Sequence, residues 1–272
     1  MKRRIVITIL AILIAMTAAL YVLDVTLGKN GPVANVLPTF VIILILAACL
    51  MHAIIFPRKS IIYIKLKYSR ELKDAFVESP DAKNNLIEAV RSFDKKDYEN
   101  AAKQLMEIKR LAKTDADHKA VGIFLGYSLT EIKLFDEAIF TYEELIRKGI
   151  ATSTVYSNLG NVHASRGEVS AAVECFENAI ETNSTDRYAR HNLAKLYFDQ
   201  KNYDKAIEYA KSALEINKKT YQSATLLAAI YTILGDSEKA SEYSTLAVQG
   251  GESKSNLSDV LSFYGNLKNI SN

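Results

Sequence analysis

Residues 187–220, RYARHNLAKLYFDQKNYDKAIEYAKSALEINKKT, decide how the rest of the chain is read. Apolar residues recur at helical spacing in two runs, Leu193, Ala194 and Tyr197 in the first and Ala206, Ala210 and Ala213 in the second. Lys201 and Asn202 separate them as a short polar turn, so the segment predicts a helical hairpin. Thirty-four residues on either side the pattern returns. Ala138, Ala172, Ala206 and Ala240 are evenly spaced, and thirteen residues before each stands Leu125, Leu159, Leu193 or Leu227. The residue after each Leu is small: Gly126, Gly160, Ala194 or Ala228. Small residues in both runs let two helices approach closely while larger neighbours fill the space around them.

Further turns read at Arg166-Gly167 and Leu234-Gly235-Asp236, and unit boundaries at Asn183-Ser184, Asn217-Lys218 and Gly250-Gly251. A weaker, earlier copy carries Ala89, Phe93, Ala102 and Met106. One such hairpin cannot bury its own apolar face, so the units must stack.

The period and these positions resemble the tetratricopeptide repeat, the match at Leu193, Ala194, Tyr197, Ala206 and Ala213 being the clearest. Residues 119–252 read as four repeats and 85–118 as a degenerate fifth, within a solenoid over 85–252. The tryptophan position of the motif holds Gly122, Tyr156, Arg190 and Ala224 instead, and its boundary proline is Ile150, Ser184, Lys218 and Glu252. Residues 253–272 supply a capping helix and tail, with Leu257, Val260, Leu261 and Tyr264 as its apolar stripe.

The composition elsewhere is uneven. The stretches 5–23 and 36–56 are nearly continuous in apolar residues, long enough to predict two membrane-spanning helices. A cleaved signal peptide is the competing reading of the first, but its length and the second stretch argue against that. Residues 1–59 therefore read as a transmembrane hairpin. Lys2, Arg3 and Arg4 before it, and Arg58, Lys59, Lys65, Lys67 and Arg70 after it, orient both termini and the repeats toward the cytoplasm. The expected location is the plasma (inner) membrane, multi-pass. Ala11, Ala15 and Ala19 share one helix face, suited to packing on the second span or on another copy. Residues 60–84 form a basic amphipathic connector. The expected fold is thus all-α, a two-helix transmembrane hairpin followed by a right-handed helical solenoid. The texture, rich in Lys, Asn and Ile without tryptophan, fits a bacterial protein.

The resemblance implies a concave groove, lined by the first helix of each unit, that holds a peptide or helix of a protein partner. Carried over residue by residue, the groove positions are Tyr127 and Glu131 in the first full repeat, with Ile123 and Phe124 beside them. Ser157, Asn158 and Asn161 follow in the second repeat, with Thr154 and Ser165. The third supplies Tyr188, His191, Asn192, Lys195 and Asp199, and the fourth Gln222, with Thr225, Leu226 and Ala229. Side-chain amides at Asn158 and Asn192 both donate and accept, which suits an extended backbone. Asn161 and Asn192 match the family's clamp for acidic chaperone tails, but Ser157, Gln222 and Leu226 stand where its basic residues belong, which argues against that ligand.

Nothing in the sequence points to catalysis, a metal or a cofactor. His118, His163 and His191 stand at no metal-ligand spacing with one another or with Cys175, and no phosphate-cradling glycine loop is present. A net charge of +3 is too small to argue for nucleic acid. The expected function is a membrane-anchored interaction scaffold, the alternative being a structural subunit of a membrane complex recognised through the hairpin. Assembly into homo- or hetero-oligomers stays open.

Overall fold

A computed structural model describes residue 64 and residues 67–271, with side chains described as far as 265. The chain divides into two compact units, Met1–Asp97 and Tyr98–Asn272. Among the described residues there is no strand.

The described part of the first unit holds α1 (Ser69–Leu72) and α2 (Pro80–Asp94). Pro80 opens α2 at a position where its missing N–H costs nothing, and Leu86, Ile87, Ala89 and Val90 form the buried stripe. At the far end of α2 the carboxylate of Asp94, almost fully buried, pairs with the Lys67 ammonium and accepts the Tyr68 hydroxyl at 3.0 Å.

The second unit is a solenoid of paired helices. It runs α3 (Tyr98–Lys109), α4 (Asp115–Glu131), α5 (Phe135–Arg147), α6 (Ser153–Ser165), α7 (Val169–Thr182), α8 (Arg187–Asp199), α9 (Tyr203–Ile216), α10 (Tyr221–Leu234), α11 (Ser237–Gly250) and α12 (Lys254–Ser271). The pairs α4–α5, α6–α7, α8–α9 and α10–α11 reproduce the 34-residue period. The starts of α4, α8, α9 and α11 carry side-chain caps. Thr114 and Asp117 form a reciprocal capping box on α4, and Asp186 accepts from the backbone of Tyr188 and Ala189 at 2.9 and 3.1 Å. Asn202 and Asp236 cap α9 and α11 in the same way.

The turn inside each pair reverses the chain through one residue in the left-handed region. Those residues are Lys133 (φ 63°), Gly167 (77°), Lys201 (60°) and Gly235 (82°), each 34 positions after the last. Two repeats fill the position with glycine and two with lysine, although a Cβ is unfavourable there. Lys201→Gly is therefore expected to stabilise the chain by about 0.5–1 kcal/mol, an offset between relieved backbone strain and the freer unfolded glycine. Urea unfolding with an unchanged m-value checks this; equal or lower stability contradicts it.

Two solutions fill the inside of the pairs. In the first two repeats a fully buried ring, Tyr142 or Phe176, lies across a glycine of the facing helix. A Cβ built on Gly126 would come within 2.5 Å of the Tyr142 ring, and one on Gly160 within 2.7 Å of Phe176. In the third and fourth repeats the same two columns hold Ala194 with Ala210 and Ala228 with Ser244. Aromatic volume moves there to a neighbouring column. Tyr197 stacks on Tyr209 at 5.7 Å and Tyr231 on Tyr243 at 5.6 Å, with Lys205 and Lys239 over the outer faces of Tyr197 and Tyr231.

The expected spans 5–23 and 36–56, with Ala11, Ala15 and Ala19, lie outside the described residues. The expected multi-pass location in the plasma membrane is corrected. Among the described residues no helix is long and apolar enough to cross a membrane. The physical reason is length and amphipathicity: most described helices bury one stripe against a neighbour and carry polar or charged residues on the other side, and α10, which carries no charge, has only 14 residues. The alternative reading through a transmembrane hairpin rests on residues 1–59, which lie outside the described residues.

Candidate functional site: two adjoining clefts on the first helices

First helices of successive repeats pack side by side, α4 on α6, α6 on α8 and α8 on α10, and their outward residues line two clefts. The first has a volume of about 380 Å³. Its walls bring together eight of the expected groove residues: Tyr127, Glu131, Asn158, Asn161, Ser165, Asn192, Lys195 and Asp199. Tyr142, Phe176 and Leu196 form an apolar floor. The three amides come from two adjacent helices. Glu131 and Asp199 carry negative charge and Lys195 positive charge, all three exposed.

Tyr142 couples this cleft to the core. Its ring is completely buried and burial drives its phenol far above the usual tyrosine range. The hydroxyl lies toward Asn158, but without hydrogen-bond geometry.

The second cleft, about 320 Å³, is lined by His191 and Gln222 together with Thr225, Leu226 and Ala229 of α10, and it shares Lys195 and Asp199 with the first. His191 Nδ1 stands 3.1 Å from the hydroxyl of the buried Ser223. Burial, and then the nearby Lys195, push the imidazole down to about 4, so it is neutral at physiological pH. The far wall is made by Val260 and Tyr264 of α12.

Five expected residues lie elsewhere. Ser157 is buried at 6 % exposure, outside both clefts, and its hydroxyl has no hydrogen-bond partner. Tyr188 points to solvent, where its hydroxyl accepts from Arg187 at 2.7 Å and its ring carries the Arg187 guanidinium. Ile123, Phe124 and Thr154 line neither cleft, and Phe124 is buried. Sequence reasoning did not identify Tyr142, Phe176 and Leu196 as floor, nor Phe198, Glu252, Val260 and Tyr264 as walls of the second cleft.

Among the described residues no group of three or more His, Cys, Asp and Glu is placed to hold a metal ion. Cys175 is buried, and burial followed by the charge of Glu174 raises its thiol to about 11, which makes it an unreactive core residue. His163 is engaged in a turn network. Its Nδ1 lies 2.6 Å from Glu168, which Arg166 also contacts at 2.8 Å while reaching Asp136 of the preceding repeat.

Residues 151–219 match the tetratricopeptide-repeat family. No curated protein matches the sequence. Among solved structures, the chain is similar to one in the APC/C hetero-tetramer Cut9–Hcn1, with 18% identity and a TM-score of 0.60, over 75% of this chain and 40% of that one. A tetratricopeptide repeat protein from Parabacteroides merdae aligns with 17% identity and a TM-score of 0.54, over 70% of this chain and 76% of its own. MamA (residues 41 to the end) from Desulfovibrio magneticus aligns with 17% identity and a TM-score of 0.51, over 63% and 95%. At these identities the likeness is one of fold: the paired helices form an all-α solenoid of tetratricopeptide-repeat type.

Proposed function

We propose that the solenoid is a protein-interaction scaffold that holds an extended peptide of a partner in the cleft of its first three full repeats. The observation that carries this reading is the convergence of Asn158, Asn161 and Asn192 with Glu131, Lys195 and Asp199 over an aromatic floor. The amides offer donors and acceptors to a backbone, which gives affinity independent of sequence. Lys195 and Asp199, one turn apart on α8, and Glu131 of α4 then select for charge. Tetratricopeptide-repeat proteins act generally as interaction modules, and the solenoid shares their fold. The groove assignment and the absence of any catalytic role belong to this reading.

The test is photo-crosslinking in cells from a probe at position 195, with position 127 as a second site, followed by identification of the adducts. A dominant adduct that a peptide from the same protein competes away supports the scaffold. The combined substitution Asn192→Ala with Lys195→Glu is expected to weaken that peptide at least about tenfold, from the loss of one amide and the reversal of one charge. Unchanged affinity removes the cleft from the binding surface.

A further inference from the structure

The last helix does not sit where a stacking helix sits. At α6, α8 and α10 each first helix packs more extensively on the second helix before it than on the previous first helix. For α12 the order is reversed: it packs mainly on α10 and only marginally on α11. The displacement leaves an open cleft of about 600 Å³ between α11 and α12, lined by Ser244, Val248, Leu257 and Leu261 among others. It also carries α12 onto the face of α10 and α8 that lines the second cleft. Tyr264 meets Phe198 of α8 edge-on, ring centroids 5.3 Å apart at 84°. Val260 faces the same cleft, opposite Thr225, Leu226 and Ala229.

The attachment is slight. Leu257 is the buried anchor, joining Leu227 and Tyr231 in the core, whereas Val260, Leu261 and Tyr264 are only half-buried and Phe263 is 59 % exposed. The connection is the Gly250-Gly251 turn, with Gly251 at φ 114°. Beside it Glu252 accepts from Thr225 of α10 at 3.3 Å and from Asn256 of α12 at 3.2 Å, tying the start of α12 to the groove helix. A helix held by one buried side chain and a glycine-rich joint opens at less cost than the helix pairs behind it.

We propose that the face formed by α8 and α10 is a docking surface for an amphipathic helix, and that α12 is its resident occupant, displaced when a partner helix with the same apolar spacing binds. The spacing is the one α12 shows, aliphatic at positions 257, 260 and 261 and aromatic at 264. The inference rests on the scaffold reading and extends it to a second ligand form: extended peptide in the first cleft, helix in the second. Occupation by α12 lowers the apparent affinity of any competitor by the fraction of time the seat is open.

The experiment uses a fluorescein-labelled peptide of residues 254–271 and the full chain. Fluorescence anisotropy is expected to show binding to the Val260→Asp, Tyr264→Asp double variant at least tenfold tighter than to the unaltered chain, whose seat is filled. A variant that keeps its helicity and unfolding midpoint and binds the peptide no better overturns the proposal. Hydrogen exchange of the unaltered chain decides independently of variant folding. Amides of α12 exchanging at least tenfold faster than those of α10, through local opening, support a displaceable occupant. Exchange of both only through global unfolding makes α12 a permanent cap and overturns it. Neither readout uses an outside partner. Absence of a crosslinked adduct alongside tight peptide binding overturns the scaffold reading alone, and an adduct alongside no peptide binding overturns this inference alone.

Discussion

Gly126→Ala is expected to destabilise the solenoid by about 1–3 kcal/mol, although alanine favours a helix over glycine by about 1 kcal/mol. The added methyl falls within 2.5 Å of a ring that is completely enclosed, so the ring must shift against neighbours packed at interior density. Tyr142→Ala by itself is expected to cost about 3–5 kcal/mol, since it empties the volume of an aromatic side chain. The double variant places Ala opposite Ala, the arrangement that the third repeat already has at Ala194 and Ala210. Its loss is expected to fall short of the sum of the single losses by about 2 kcal/mol, because the methyl then enters space the ring has left. Urea unfolding followed by circular dichroism gives all four corners of the cycle. Additive losses mean that the glycine is not there to receive the ring. The same cycle at Gly160 and Phe176 is expected to behave alike, with the contact at 2.7 Å.

That result bears on how the repeats read as sequence. A period of 34 puts 126, 160, 194 and 228 in one column and 142, 176, 210 and 244 in another, because it imposes the same face on every helix. Their pairing was less visible, since a glycine in a helix and a ring one helix later are four turns apart in the chain and touch only after the hairpin closes. The left-handed turn positions divide the same way. Gly167 and Gly235 announce themselves, while Lys133 and Lys201 do so only through their register, lysine having no preference for that conformation.

The positions carried over from the family resemblance are met in part by the geometry: Asn158, Asn161, Asn192 and Lys195 of α6 and α8 line one cleft. Ser157 was misplaced because one residue along a helix turns a side chain by about 100°, from the cleft into the interface between helices. The seat of α12 was not legible. An amphipathic stripe of Leu257, Val260, Leu261 and Tyr264 looks the same whether it stacks on α11 or turns onto α10. The choice is made by the Gly250-Gly251 joint and by contacts far away in sequence, such as Phe198.

Lowering the pH from 6.5 to 4 is expected to cost the unaltered chain about 2–3 kcal/mol more than it costs His191→Gln. The sign follows from the direction of the shift. Burial, with Lys195 adding to it, lowers the folded imidazole to about 4, whereas in the unfolded chain it titrates near 6.5. Between those values the unfolded chain binds a proton that the folded chain refuses, so acid favours unfolding. Above the unfolded value both forms are neutral and the penalty is absent; it grows as pH falls and is complete below the folded value. Glutamine keeps a polar group beside the Ser223 hydroxyl, which His191 Nδ1 meets at 3.1 Å, but takes up no proton. Carboxylates held low by their partners, such as Glu144 beside Lys109, also lose stability in acid, but they do so equally in both proteins and cancel in the difference. Denaturation at pH 7, 5.5 and 4 measures that difference directly. A gap that widens toward pH 4 locates a buried neutral imidazole in the wall of the second cleft, where a cationic partner group would add to its cost of charging. Parallel curves mean that His191 charges freely and stands in water, and the wall that Tyr264 and Val260 make beside it is then open.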